Sequence, residues 1–529
     1  MNTTARIILA GGTVVDGTGS APRIADVLIE GTRIREVTAR HEAVSRVGAE
    51  VIDCDGLVVA PGFIDIHTHS DLSRLHYPEA ETRVVQGVTT EVTGNCGMSP
   101  FPVTSDPAEL RSIIGPIDVC PEVEITWTGL DDYLELLENT PGGTNVAPLI
   151  GHGSLRQWAL GSTTVTATAD DLERMRNELA RCLRAGVWGM SLGLMYAPGE
   201  LADRRELSFL ATEVARQGGF VSAHMRSYAA EELLDSITEI ADVVRDSGVG
   251  FEISHLRSIG DQNAAMMNAA CEYLADSGLD IEGDAYPYLA GHTTLLQLFP
   301  PEIRGLGTEA VLASIFNDPA KAAEDLRSRG TRGDAITVAK AAVDGYQGLT
   351  LQEAAQRAGT DWAQIGVELL IKSQGAVDVI VVGSTTEDTM RSLSDPRVSI
   401  ASDGVSLSLS HSANLPHPRS IGTFPRAIAE LLDHGLPIEA VIHKATGKPA
   451  RRMGMSDRGT LTGGNAADVV VFDRATIRDN ATYSNPLVPP SGIQQVIVNG
   501  KFVLRDTAFT GQRPGRVLRK PRPVTSPSE

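Results

Sequence analysis

From residue 63 to residue 403 the chain alternates apolar, β-branched runs with segments of helical periodicity. That alternation predicts parallel strands joined by crossover helices. The strand-like runs fall at 63–69, 88–94, 146–151, 187–192, 219–224, 250–255, 279–285 and 397–403. Eight such units match the complement of an α/β (β/α)8 TIM barrel, a fold that builds its active sites at the C-terminal rim of the strands. The segments between them carry their own signal. Leu172, Met175, Leu179, Cys182 and Leu183 recur at helical spacing and Gly186 stops that helix, so Cys182 reads as core packing.

The two ends of the chain have a different rhythm. Short strand-like runs with turns occupy 6–60, and a matching set, with Asn499-Gly500 as a hairpin turn, occupies the C-terminal part. Each set needs a second layer to cover its apolar face, so residues 1–60 and 455–529 are expected to make one small β-sandwich domain from both termini. Residues 61–454 are then the barrel. Within it the stretch 289–395 is too long for an ordinary strand-to-helix connection and holds helical patterns at 350–357 and 362–372 and a strand-like run at 377–382. It is expected to be a folded insertion over the barrel mouth, placed to exclude water.

A net charge of −21 opposes binding to nucleic acid and to anionic membrane surfaces. The one basic run, Gln512 to Arg522, reads as a strap or a frayed end. No apolar run is long enough for a membrane span or a signal peptide, and the five cysteines form no CxxC pair. A cytoplasmic protein without disulfides is expected.

The ends of the predicted strands carry the chemistry. In the run 63–69, residues of alternating polarity put His67 and His69 on one face, where two imidazoles can share a metal. Cys96 lies just past the second strand in Thr93-Gly-Asn-Cys-Gly97, where Gly94 and Gly97 permit a tight turn. His224 ends the run 219–224, His255 ends 250–255 and Asp403 ends 397–403. Singly, each has an ordinary structural reading, a buried thiol, a hydrogen-bonded wall residue or a helix cap. Together on one rim they point to a metal centre. Neutral imidazoles and a thiolate suit zinc, which acidifies bound water, and Asp403 is suited to take that water's proton and pass it to a leaving nitrogen. The reaction class is metal-assisted hydrolysis of an amide-like bond.

The run Pro61-Gly-Phe-Ile-Asp-Ile-His-Thr-His69 resembles the first-strand signature of the metal-dependent amidohydrolases, and the order HxH, Cys, His, His, Asp resembles the N-acyl-D-amino-acid deacylases (D-aminoacylases) among them. The likeness extends over most of the chain through Gly94-Asn-Cys-Gly-Met-Ser-Pro100, Gly151-His-Gly-Ser-Leu-Arg156, Gly193-Leu-Met-Tyr-Ala-Pro-Gly199, Asp284-Ala-Tyr-Pro-Tyr288, Ser402-Asp-Gly404, His417-Pro-Arg419 and Gly459-Thr-Leu-x-x-Gly-x-x-Ala-Asp468. The resemblance implies that Cys96, His224 and His255 hold one tightly bound Zn²⁺, that His67 and His69 with Cys96 form a second, weaker or vacant site, and that Asp403 is the catalytic acid/base. It implies a small-molecule N-acyl amino acid as substrate, with a preference for the D form. The fourth strand has no lysine or glutamate to bridge two metals, and the resemblance gives that task to Cys96. It places the substrate carboxylate against Arg257, Tyr196 and Tyr288. Arginine stands where the family more often has lysine, which bears on substrate range and not on the reaction. Tyr286 competes with Tyr288, and Arg226 with Arg257, for contact with substrate. The oligomeric state is not legible.

Other readings are weaker. Gly189-Met-Ser-Leu-Gly193 matches a nucleophile elbow, but Leu-Met-Tyr-Ala-Pro-Gly follows where a helix is required. A scaffold that had lost its ligands would lack several of the histidines. An amidohydrolase acting on a cyclic amide, as a hydantoinase or dihydroorotase does, or on a dipeptide is the closest competitor.

Overall fold

The computed structural model describes residues 6–39, 47–104, 106–114, 118, 120, 122–161, 166–260, 263–300, 303, 308–328, 330–411 and 413–521. Its apolar runs pair as their composition requires: strands rich in Val and Ile and buried on both faces lie parallel, each beside the next in sequence. Phe63–Asp65 pairs with Val88–Thr93, which pairs with Asn145–Pro148. The third segment resumes after Leu149 as Ile150–Gly151 and pairs with Gly189–Gly193. Phe220–His224, Gly250–Ile253, Ile281–Ala285 and Val398–Ile400 follow in chain order, all parallel. The last strand returns to the first: Thr68 bridges Gly404, the His69 amide donates to the Gly404 carbonyl at 2.8 Å, and the Asp403 amide donates to the His67 carbonyl at 2.8 Å. The C-terminal ends of all eight strands therefore face one another.

Helices cover the outside of this ring. Ala169–Arg184 buries Leu172, Met175, Leu179, Cys182 and Leu183, and it begins at a capping box in which Thr168 accepts from the Asp171 amide and the Asp171 side chain accepts from the Thr168 amide. Arg204–Arg216 and Leu233–Ser247, which follow later strands in the chain, likewise bury one apolar face.

The terminal segments join in one nine-stranded sheet and not in two separately paired sheets. The link between them is Val469–Phe472, antiparallel to Val58–Pro61. Alternation decides where each side chain goes. Val469 and Val471 enter a small core with Ile7, Leu9, Val27 and Val59, while Val470 and Phe472 join the main core. Glu50–Asp53, a mostly exposed strand that the sequence reading left out, adds to Arg6–Val14 in parallel. Gly62 carries the chain from this sheet into the first parallel strand, and a Cβ there would lie 2.3 Å from the Thr89 side chain.

Between the seventh and eighth strands, Ala290–Thr294, Asp378–Val382 and Ile336–Lys340 form an antiparallel sheet. Helices Thr308–Asn317, Pro319–Ser328, Leu351–Ala358 and Trp362–Lys372 flank it, and a core of its own includes Leu295, Phe299, Ile336, Leu370 and Val379. The basic C-terminal run is a strap. The Val146 amide donates to Arg516, the Leu518 amide to Val146 and the Lys520 amide to Gly186, and Arg519 pairs with Glu138 at 2.7 Å. Residues 522–529 lie outside the described part. No described helix is long and apolar enough to cross a membrane.

Candidate metal centre

Side chains at the C-terminal ends of the first, second, fifth, sixth and eighth strands gather around the Cys96 sulfur. Its Sγ is 3.3 Å from His67 Nε2, 3.7 Å from His224 Nδ1 and 3.7 Å from His255 Nε2. His69 Nε2 lies 3.1 Å and His67 Nε2 3.4 Å from Asp403 Oδ1. Two groups of ligand atoms result, His67, His69, Cys96 and Asp403 in one and Cys96, His224 and His255 in the other, each within 4.8 Å, with the sulfur common to both.

The donor set fits zinc. Zinc–sulfur and zinc–nitrogen bonds of about 2.3 and 2.05 Å at a tetrahedral angle place S and N about 3.6 Å apart, and the observed separations straddle that value. His69 Nε2 is buried and, although close to Asp403, has hydrogen-bond geometry to no group. A buried imidazole nitrogen without a partner beside a thiol and a carboxylate is a ligand position.

The local backbone aims these groups at some cost. Cys96, His255 and Asp403 have φ of +52°, +36° and +52°, left-handed conformations that side-chain-bearing residues seldom adopt and that gather at functional sites. Ser191, on the fourth strand, holds the Cys96 turn from both sides: its hydroxyl donates to the Gly94 carbonyl and accepts from the Gly97 amide at 2.9 Å. Gly97 cannot be replaced, since a Cβ would meet the Gly193 amide nitrogen at 2.6 Å.

Asp284, at the end of the seventh strand, orients two histidines. Its Oδ2 lies 3.2 Å from His67 Nδ1, and its Oδ1 accepts from the His255 amide at 2.8 Å. A proton held on His67 Nδ1 by Asp284 makes Nε2, which faces Cys96, the nitrogen that a metal would take, the arrangement that fixes the tautomer of metal-bound histidines.

Burial works against charge at Cys96, Asp403, His67 and His69, where neighbouring charges override it, and it prevails at His224. The Cys96 thiol, which burial would raise, is held well below its ordinary value by His67, His224 and His255. Burial would also raise the Asp403 carboxyl, but Arg419 and the imidazoles hold it well below the carboxylate range. His67 stands well above and His69 at about 9 because Asp403 and Cys96, joined by Asp284 at His67, outweigh desolvation. His224 is pushed down to about 4 by burial and by His255.

Arg257 borders the cluster. Its Nη1 donates to the Tyr286 hydroxyl at 2.5 Å, its Nε is buried without a partner, and it makes no ion pair among the described residues. The Tyr196 ring packs 4.7 Å from the His224 ring. Tyr288 borders the same cavity as His255, Arg257 and Tyr286, with its hydroxyl donating to Asp479 at 2.8 Å and its buried ring packed on His417. Tyr286 is the tyrosine hydrogen-bonded to Arg257. The strand ends at Ala285, so period-two alternation does not extend through Pro287. Arg226 turns away to Glu239 and to the carbonyls of Glu200 and Ala202. His411 and His417 are loop hydrogen-bonders, to Tyr77 and Asn414 and to the Ala290 carbonyl. Two residues of the site had no role in the sequence reading, Asp284 and Arg419, though both lie in motifs that it singled out.

The sequence model of the amidohydrolase family matches residues 50–504. The D-aminoacylase of Alcaligenes xylosoxydans xylosoxydans is 33% identical over 519 residues, 97% of each chain. A solved D-aminoacylase with a binuclear metal centre is 32% identical at a TM-score of 0.81, with 97% of this chain and 99% of that one covered. The N-acyl-D-glutamate deacylase of Bordetella bronchiseptica, solved with zinc and a phosphonate mimic of the tetrahedral intermediate, is 28% identical at a TM-score of 0.82, with 98% and 100% covered. On a match of that length and on the order of its strand-end ligands, the chain belongs to the amidohydrolase family, in its D-aminoacylase group.

Proposed function

We propose that this protein hydrolyses the amide bond of N-acyl-D-amino acids, giving a carboxylate and a free D-amino acid. The observation that carries this reading is the Cys96 sulfur shared between two histidine groups, with Asp403 on one side and the unpaired Arg257 close by. The eight parallel strands and their closing contacts support a (β/α)8 barrel over 61–454, with 289–395 as a lid-like insertion and 1–60 with 455–529 as a small β domain. Cys96, His224 and His255 would hold one zinc tightly, and His67 and His69 with Cys96 a weaker second one. Zinc bound there supplies the Lewis acidity that brings water to a pKa of ~7.

The chain's own groups do the rest. Arg257, flanked by Tyr286 and Tyr196, receives the substrate carboxylate; a guanidinium without an anionic partner grips one through paired N–H groups. Asp403 Oδ1 accepts a proton from the attacking water and returns it to the amide nitrogen as the C–N bond breaks. The preference for D substrates rests on the likeness to the D-aminoacylases. The five free, buried cysteines favour a reducing, cytoplasmic setting.

The test is to measure zinc per chain and acetate release from N-acetyl-D- and N-acetyl-L-methionine in the wild type, Cys96→Ala and Asp403→Asn. D-selective release, metal lost from Cys96→Ala, and metal kept in Asp403→Asn with a rate lower by ~10²–10⁴-fold are expected. Bound zinc without turnover of either enantiomer would sink the substrate assignment.

A further inference from the structure

We propose that Arg419 is a positioning residue for Asp403, holding one carboxylate oxygen away from the metal ligands so that the other keeps its place as proton acceptor. The proposal rests on the hydrolase reading above for what Asp403 does. Its geometry stands apart from that reading. Arg419 Nη1 donates to Asp403 Oδ2 at 2.6 Å, while Asp403 Oδ1 faces His67 and His69. The two oxygens are thus divided between a guanidinium and the imidazoles. Both side chains are almost fully buried, and Asp403 is the only carboxylate paired with Arg419 among the described residues.

Nothing in local folding favours an arginine at this point. It is the first residue of helix Arg419–Asp433, and the N-terminal end of a helix disfavours cations. The surrounding network holds it there nonetheless. The Arg419 amide donates to His417 Nδ1 at 3.0 Å, and His417 Nε2 in turn donates to the Ala290 carbonyl at 3.0 Å, on the first strand of the inserted sheet. The guanidinium also lies over the Tyr286 ring, and its Nη1 donates to the Tyr286 hydroxyl at 3.2 Å. That hydroxyl oxygen accepts from Arg257 as well. One tyrosine therefore joins the arginine expected to receive the substrate to the arginine that holds the base.

Without Arg419, Asp403 is free to swing both oxygens onto the metal ligands. Two readouts follow, one of them independent of activity. In Arg419→Ala and Arg419→Lys, kcat should fall by about 10²-fold in the first and less in the second, with KM within about threefold, and added guanidinium should restore part of the rate of Arg419→Ala. In metal-stripped protein, chelator competition should find zinc bound at least about threefold more tightly by Arg419→Ala than by the wild type, because a nearby cation is gone and a carboxylate is released. Arg419→Lys keeps the charge, so it tests the role even if Arg419→Ala does not fold. An unchanged kcat, a loss confined to KM, which would make Arg419 a substrate contact, or zinc binding no tighter than in the wild type overturns the proposal. A wild type inactive on every N-acyl amino acid would remove the substrate reading, while the zinc titration would still decide the role of Arg419.

Discussion

Replacing Asp284 by asparagine changes no volume, yet it should weaken metal binding by one to two orders of magnitude. The Asp284 carboxylate accepts from both His67 Nδ1 and the His255 amide. An asparagine oxygen can keep the amide contact, which turns its NH2 group towards His67. The imidazole must then accept at Nδ1 and carry its proton on Nε2, the nitrogen that faces Cys96. To bind a metal, His67 has either to shed that proton onto a face now met by a donor or to leave the site. The lost bond is charge-assisted and contributes about 1.5–3 kcal/mol, which corresponds to roughly 10–150-fold in affinity. Zinc affinity by chelator competition, wild type against Asp284→Asn, is the assay. Asp284→Ala is the control, since it also strands the buried His255 amide and should lower the unfolding free energy by a further ~1–3 kcal/mol. A zinc affinity within about threefold of wild type in Asp284→Asn would refute the tautomer argument.

The protonation of the metal-free cluster sets a pH dependence. Although burial opposes its charged form, His69 is pushed up to about 9 by Asp403 and Cys96, so in the metal-free chain it keeps its proton below that pH. Only the neutral ring ligates, so zinc uptake must displace the proton, and affinity at the His67, His69 and Cys96 group should climb as pH rises from 6.5 towards 9. Calorimetry in buffers of different ionisation enthalpy would count the released protons; a flat affinity across that window would contradict the assignment. The two tyrosines should separate cleanly. Tyr286→Phe removes the acceptor shared by Arg257 and Arg419 and should lower kcat/KM by about tenfold. Tyr288→Phe should leave kinetics unchanged and cost ~1 kcal/mol of stability through Asp479, read by denaturant unfolding.

What the sequence disclosed about this site followed from locality. His224 and His255 were legible because each closes an apolar strand whose length and polarity mark its rim end, and Cys96 because glycines flank its turn. Arg419 was not. Its partner Asp403 is separated from it by a loop, and no periodicity joins a helix's first residue to a strand's last. The role of Asp284 likewise depends on which strands lie side by side, a long-range fact that composition does not encode. Tyr288 was favoured over Tyr286 on resemblance, and a strand ending at Ala285 followed by proline gives alternation nothing to act on. The terminal strands were readable one by one. Their union in one sheet was not, because it turns on Val469–Phe472 finding Val58–Pro61 across most of the chain.

That same pairing dictates an order of events at the ribosome. The edge of Val58–Pro61 is complete as soon as it is made, but its partner Val469–Phe472 is synthesised about 400 residues later. At ~5–20 residues per second the nascent chain carries that open edge for roughly 20–80 s. The first parallel strand, joined to it through Gly62, hangs from an unfinished support for the whole interval. Stop codons or cleavage anywhere before residue 469 would then leave an apolar template free to capture other chains, so truncated products of this protein should be found in aggregates and not as stable fragments.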